Sequence, residues 1–292
     1  MHLPKFEYFA PMTLEDACSL LSKYGGEARV LAGGTDLLVK MKHRRMLPSY
    51  LISIKNVPDL GYIHYDEKEG LCIGALTTLE AIKASPVIRQ RFGILAQAAG
   101  VVGSVAIRNR GTIGGNLCNA APSAETAPAL IALAAKVRIA GLGGERTIAL
   151  EDFFTGPGET VLQTGEILTE IQVPNLPARS NGVYLKHSLR KMDIAIVGVG
   201  VVVTLSGESC TDIKIVLGAV APTPIRARKA EEVIRGQEPN QKLTKRAAEI
   251  ASRESSPIDD IRSRAEHRRN MVGILTAQAI EQAVKQARLE GW

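Results

Sequence analysis

Two glycine-rich segments carry the residue types best suited to gripping a ligand with main chain: Leu31-Ala32-Gly33-Gly34-Thr35-Asp36-Leu37-Leu38 and Gly111-Thr112-Ile113-Gly114-Gly115-Asn116. Glycine permits positive φ and lets a ligand approach the backbone closely. N–H groups exposed in such a turn form an anion-binding nest. Two nests in one chain imply one large ligand with two phosphates held from two sides, which is a dinucleotide. Neither segment has the G-x-G-x-x-G spacing of a Rossmann turn, and neither has the Gly-Lys-Ser/Thr of a Walker loop. One glycine pair alone reads more readily as a tight structural turn. Two pairs, each followed by a hydroxyl or amide side chain, favour binding.

Composition narrows the function classes. At 292 residues the chain is long enough for two or three domains with ample core. The net charge of +6 is mild for this length, and aromatics at 4% are too few for a base-stacking surface, so nucleic acid is not an expected partner. The start, Met1-His2-Leu3-Pro4-Lys5-Phe6, lacks the apolar stretch of a signal peptide. The longest apolar run, Ile194 to Leu205, is interrupted by Gly198 and Gly200 and falls short of a membrane span. Cys18, Cys72, Cys118 and Cys210 are too widely spaced for a CxxC pair, so the chain is not built to ligate its own iron–sulfur cluster or zinc. Reduced thiols in the cytoplasm are the simple expectation.

The elements that must position the glycine turns follow from periodicity. Leu14 to Tyr24 reads as a helix capped by Thr13, Ala28 to Ala32 as the strand delivering the first turn, and Tyr50 to Ile54 as another strand. Residues 1–57 therefore form a small α/β unit. Over 58–176 a hairpin (Tyr62–Tyr65 with Leu71–Gly74), helices near Leu79–Ala84 and Ile94–Val102, the second turn and a helix over Ala124–Ala135 are expected. A second hairpin (Val137–Ala140 with Arg146–Leu150) and an alternating strand, Ile167–Val173, complete that unit. Pro174 to Ser180 reads as a linker. Over 177–292 three strands, near Gly182–His187, Ala195–Leu205 and Asp212–Val220, precede a helical region rich in Arg and Lys. Its basic stretch Arg262 to Arg269 has acidic neighbours, Asp259 and Asp260, and reads as a solvated face.

Taken together, AGGTDLL (Ala32 to Leu38) and GTIGGNLCNAAPSAE (Gly111 to Glu125) resemble the FAD-binding, medium subunit of the molybdenum hydroxylases, the xanthine dehydrogenase, aerobic carbon monoxide dehydrogenase and nicotinate dehydrogenase group. The resemblance continues through Glu166–Ile171, Tyr184-Leu185-Lys186, Arg190–Ala195 and Leu217–Pro224. It implies an α+β chain: a vanillyl-alcohol-oxidase-type FAD-binding fold of two α/β subdomains, then a C-terminal domain of antiparallel sheet with helices.

The resemblance also implies roles. Residues 31–38 would hold the FAD pyrophosphate, with Thr35 donating to phosphate oxygens. Asp36 would turn away or cap the next helix. Thr112 to Asn116 would approach the same phosphates and the ribityl side. Glu125 stands where the family commonly has an aspartate for the adenosine ribose; otherwise it is a residue favoured at a helix N-terminus. Ile167 and Leu168 would contact the adenine end, or else are plain strand core. Lys186 matches a lysine near the isoalloxazine, where a cation raises the flavin's potential; its alternative is a solvated strand-edge lysine. Asp193 would close a loop beside the ring. With Thr35-Asp36 where some relatives of the wider fold carry a histidine, attachment of FAD is expected to be non-covalent.

The function so implied is electron transfer within a multi-subunit oxidoreductase. A molybdopterin-binding large subunit would oxidise substrate. A small subunit would pass electrons through [2Fe–2S] clusters to this chain's FAD, and an external acceptor would remove them. The assembly would be a dimer of heterotrimers. The rival readings are a stand-alone FAD-dependent oxidoreductase, with Tyr184 or His187 near a substrate, and a scaffold that has lost its cofactor.

Overall fold

The computed structural model describes residues 2–289. Met1 and residues 290–292, at the edge of the C-terminal unit expected over 177–292, lie outside the described residues.

The first sheet is parallel. It is built from β1 (Glu7–Phe9), β2 (Ala28–Leu31) and β3 (Tyr50–Ser53), with helix α1 (Leu14–Tyr24) after β1 and helix α2 (Leu37–Lys42) between the other two strands. β3 lies in the middle, with Ala28 to Leu31 in register against Tyr50 to Ser53. Helix α1 has the bounds its periodicity predicts. The Thr13 hydroxyl accepts from the Asp16 N–H at 3.1 Å, and Gly25 ends the helix at φ 53. Parallel strands require a crossover, and α2 supplies it. The glycine turn therefore lies at the carboxyl end of β2, where open α/β sheets bind their ligands. Sequence periodicity reveals neither β1 nor α2, because three and six residues are too few to show a period.

The second sheet is antiparallel. Hairpin β4 (Ile63–Asp66) and β5 (Gly70–Gly74) leads into six short helices: α3 (Leu79–Ala84), α4 (Pro86–Arg91), α5 (Gly93–Gly100), α6 (Val105–Arg108), α7 (Ile113–Cys118) and α8 (Thr126–Ala132). Then come β6 (Lys136–Gly141), β7 (Gly144–Ala149), the small hairpin β8 (Phe154–Gly156) and β9 (Glu159–Thr160), and β10 (Ile167–Val173). The order is β4-β5-β10-β6-β7, so the last strand fills the gap between the two hairpins. Filling that gap buries β10 almost end to end, beyond the alternation its sequence suggests. The helix expected over Ala124–Ala135 is shorter, because Ala134 turns to φ 57.

The third sheet, antiparallel in the order β11-β12-β13-β14, comprises β11 (Ser180–His187), β12 (Val197–Ser206), β13 (Ser209–Gly218) and β14 (Ile225–Arg226). Helices α9 (Arg228–Ile234), α10 (Gln241–Glu254) and α11 (Ala265–Leu289) cover one face, with Val199, Val201, Leu217, Ala279 and Ile280 in the core between them. The other face meets α5 and α8, and Tyr184, Val202 and Val216 join the core of the second sheet. A Cβ on Gly200 would stand 3.0 Å from the Pro128 carbonyl oxygen, and one on Gly218 2.8 Å from the Pro128 ring. Glycine on β12 and β13 is thus what lets α8 seat on the sheet. Mixed helices with mostly antiparallel sheets make the chain α+β.

Candidate functional site

A cleft of about 690 Å³ is lined by residues from all three stretches of chain: the end of β2 with α2, the α3–α8 region with β10, and the loop before β12. Its size is that of a cofactor pocket.

The first glycine turn forms one wall. Gly34 adopts φ 75, which carries the chain from β2 into α2. Among the described residues, the N–H groups of Gly33, Gly34, Thr35 and Asp36 have no hydrogen-bond partner; the turn's first internal bond runs from the Leu38 N–H to the Gly34 carbonyl, 3.1 Å. A row of unpaired donors at the end of a parallel strand is a cradle for an anion. Ala32 to Leu37 line the cleft. Leu31 and Leu38 instead pack with Met41 and Leu51 and anchor the turn from behind. Asp36 does not cap α2 with its side chain. Its carboxylate accepts from the Asn119 amide at 3.2 Å and from the Thr35 hydroxyl at 3.4 Å.

The second segment faces the first but works differently from a second nest. Thr112 caps α7, its hydroxyl accepting from the Gly115 N–H at 3.1 Å. The N–H of Gly111 goes to Ile107, that of Ile113 to Thr77, that of Gly114 to Ala75 and that of Asn116 to Thr112. These donors are spent inside the protein, so the glycines serve close approach instead. A Cβ on Gly114 would stand 2.7 Å from that of Ala75, and one on Gly33 would overlap the Arg110 carbonyl oxygen. Gly111, Thr112, Gly114, Gly115 and Asn116 line the cleft, whereas Ile113 is fully buried in the core. The Asn116 side-chain oxygen accepts from Thr126, so what its side chain has left to offer a ligand is the donating amide N–H groups.

Glu125 begins α8 and lines the cleft, yet its side chain is only 7% exposed. Lys186, itself 5% exposed, lies 2.8 Å from it and also donates to the Val101 carbonyl at 2.9 Å. Burial pushes the Glu125 carboxyl up, and the Lys186 ammonium opposes that shift. Lys186 is therefore neither a solvated edge lysine nor part of the cleft lining. It binds the α8 start to the turn after α5, whose Val102 and Gly103 line the cleft. Ile167 and Leu168 line the cleft from β10 and are also core residues. Asp193 lines it from the exposed loop before β12, between Met192 and Ile194.

Several lining residues carry no strong sequence signal. Lys40, one helical turn beyond Asp36, donates to the Asn119 side-chain oxygen Oδ1 at 2.7 Å, so Lys40, Asn119 and Asp36 form one network across the two walls. Glu166 lines the cleft while held by Arg146, whose hydrogen bonds keep the Glu166 carboxyl below its ordinary range. Each is legible only from pairings distant in sequence.

The wall holds no recognisable acid, base or nucleophile set. Burial pushes the Cys118 thiol up to about 12, far from a thiolate nucleophile. Tyr184 is buried in the core, and burial raises its hydroxyl well above the usual range. His187 meets His267 Nε2 to Nε2 at 3.2 Å, outside the cleft lining. The arrangement suits holding an elongated phosphate-bearing molecule, with main-chain donors on one wall and close-packed glycines on the other.

Comparison with known proteins gives the same picture. Residues 4–176 match the family model described as the FAD binding domain in molybdopterin dehydrogenase, and residues 183–283 match the CO dehydrogenase flavoprotein C-terminal domain. The carbon monoxide dehydrogenase medium chain of Hydrogenophaga pseudoflava is 34% identical over 280 residues, covering 96% of this chain and 97% of that one. The xanthine dehydrogenase FAD-binding subunit of Escherichia coli O157:H7 is 30% identical over 282 residues, covering 96% of each chain. A solved structure of the Hydrogenophaga pseudoflava carbon monoxide dehydrogenase, lacking the Mo-pyranopterin moiety, superposes with a TM-score of 0.95 over 98% of this chain and 99% of that chain, at 34% identity.

Proposed function

The chain belongs to the FAD-binding medium subunits of the molybdenum hydroxylase family, which makes it an oxidoreductase subunit, and from that premise we propose that it relays electrons through FAD held in the 690 Å³ cleft. The observation that carries the proposal is the row of unpaired N–H groups from Gly33 to Asp36, set against the glycine-tight second wall.

In this reading the donors of Gly33 to Asp36 and the Thr35 hydroxyl hold the pyrophosphate. Thr112, Gly114, Gly115 and the Asn116 amide border the phosphates and ribityl chain, and Ile113 fixes that segment from the core. Lys40 offsets the charge of Asp36 close to the phosphates. Glu125 offers a carboxylate to ribose hydroxyls, and Lys186 keeps it oriented. Ile167 and Leu168 flank the adenine, and Asp193 with Met192 shields the open end of the cleft. Bound non-covalently, FAD supplies a redox centre that accepts electrons singly and releases them singly or in pairs.

Residues 1–57 and 58–176 would act as two lobes closing on the cofactor, with 177–292 as the platform carrying Lys186 and the Asp193 loop. The partners are a large subunit with molybdopterin and a small subunit with [2Fe–2S] clusters, in a cytoplasmic dimer of heterotrimers. An external acceptor takes the electrons. The free cysteines here lie apart, at positions 18, 72, 118 and 210, which supports placing the clusters on another chain.

The test is purification of the native assembly with an absorbance spectrum, metal analysis and separation of its chains. FAD on this chain, with iron and molybdenum on two others, is the expected result. Flavin on a single chain free of both metals would instead establish a stand-alone oxidoreductase.

A further inference from the structure

The turn from Val101 to Ser104, which joins α5 to α6, has three successive carbonyls taken by two buried cations. Lys186 Nζ donates to the Val101 oxygen at 2.9 Å. One guanidinium nitrogen of Arg108 donates to the Val102 oxygen at 3.2 Å and to the Gly103 oxygen at 3.1 Å. The Arg108 side chain is only 8% exposed, and its Nε donates to Glu80 at 2.8 Å, which fixes the planar head in place.

Two carbonyls on one fixed nitrogen set the planes of two successive peptides. A trans peptide holds its N–H antiparallel to its carbonyl, and among the described residues no peptide is cis. The N–H groups of Gly103 and Ser104 belong to these two peptides, so both point away from Arg108. Among the described residues neither has a hydrogen-bond partner. Gly103 stands at φ 47, and a Cβ there would meet the Ile107 side chain at 3.2 Å. Val102, Gly103 and Ile107 line the cofactor cleft, whereas Arg108 does not. Successive N–H groups aligned through a positive-φ glycine are the donors of a nest. The second glycine segment spends its own N–H groups inside the protein, so this turn supplies what that segment lacks.

We propose that Gly103 and Ser104 donate to an acceptor oxygen of bound FAD, and that Arg108 is the positioning residue that aims them. Arg108 touches no ligand; it acts through the two carbonyls it holds. The inference rests on the FAD reading of the cleft and extends it to a wall separate from the first cradle.

The test is amide-resolved hydrogen exchange of the full chain, without and with saturating FAD. Exchange should slow at Gly33 to Asp36, and also at Gly103 and Ser104 by about fivefold or more, the effect of one added hydrogen bond. In Arg108→Lys the charge beside Glu80 is kept but the planar fork is lost. There the slowing by FAD should persist at Gly33 to Asp36 and disappear at Gly103 and Ser104. Glu80→Gln, which frees the guanidinium without removing it, should lose part of that slowing. A merely structural Arg108 would change exchange in the cofactor-free chain and leave the response to FAD intact. No slowing in either segment of the parent chain overturns the FAD reading and this inference with it. Slowing confined to Gly33 to Asp36 overturns this inference alone. Slowing at Gly103 and Ser104 that survives at the parent level in both variants overturns the role of Arg108.

Discussion

Gly33 lies so close to Arg110 that a single methyl group on it would overlap the Arg110 carbonyl oxygen. The two glycine segments, far apart in sequence, are thus locked face to face by the absence of one side chain. This contact sets the end of β2 against the loop before α7, and both line the cleft.

Substituting Gly33→Ala should force these walls apart. We expect flavin content to drop about tenfold or more, since a misplaced cradle loses several hydrogen bonds of about 1 kcal/mol each. Gly143→Ala, where an added methyl meets nothing within 4 Å, serves as control and should keep its flavin. Flavin-to-protein absorbance ratios of the purified variants check this.

Lys186→Met should destabilise the chain by about 3–5 kcal/mol, because it strands the buried Glu125 carboxylate. Both side chains are under a tenth exposed, so water cannot compensate. Lys186→Met/Glu125→Leu should lose clearly less than the sum of the single changes. Denaturant unfolding of the four proteins measures the coupling.

Lys40→Gln should weaken FAD binding about tenfold while leaving stability nearly unchanged. It removes the cation that Asn119 links to Asp36 and frees the Asn119 side-chain oxygen. The affinity loss should shrink at high salt, where charge interactions are screened. Fluorescence titrations at two ionic strengths would reveal it.

Asp260 gives a defined acid sensitivity. Burial works against its charge, but the Arg262 N–H, the Arg268 guanidinium and the Ser263 N–H hold its pKa down to about 2, against an ordinary 3.8. A lowered carboxyl pKa stabilises the fold above the ordinary value, and that contribution fades as pH falls through the lowered one. Stability should therefore decline between pH 3.8 and about 2. Asp260→Asn should start lower at neutral pH and decline less steeply over that window, as followed by unfolding at each pH. Arg268 also grips the Ile196 and Ala219 carbonyls, so the tether steadies the base of the Asp193 loop.

What the sequence reveals here is what is local. Helix α1 and the two hairpins are legible because their caps, turns and periods lie within a few residues. The insertion of β10 between the hairpins is not, since no neighbouring residue records its partners. The use of the second segment's N–H groups depends on Thr77 and Ala75, which strand and turn geometry alone bring near. Lys186 and Glu125 stand 61 positions apart, and nothing in either neighbourhood marks them as a pair. The glycine turns themselves are legible because their residue types have few other uses.

The most direct test is titration of the cofactor-free full chain with FAD, followed by acid precipitation. One FAD per chain, lost to the supernatant on denaturation and not retained by Gly33→Ala, is the predicted result. A correctly folded chain that takes up no FAD, or binds it equally well as Gly33→Ala, would contradict the account.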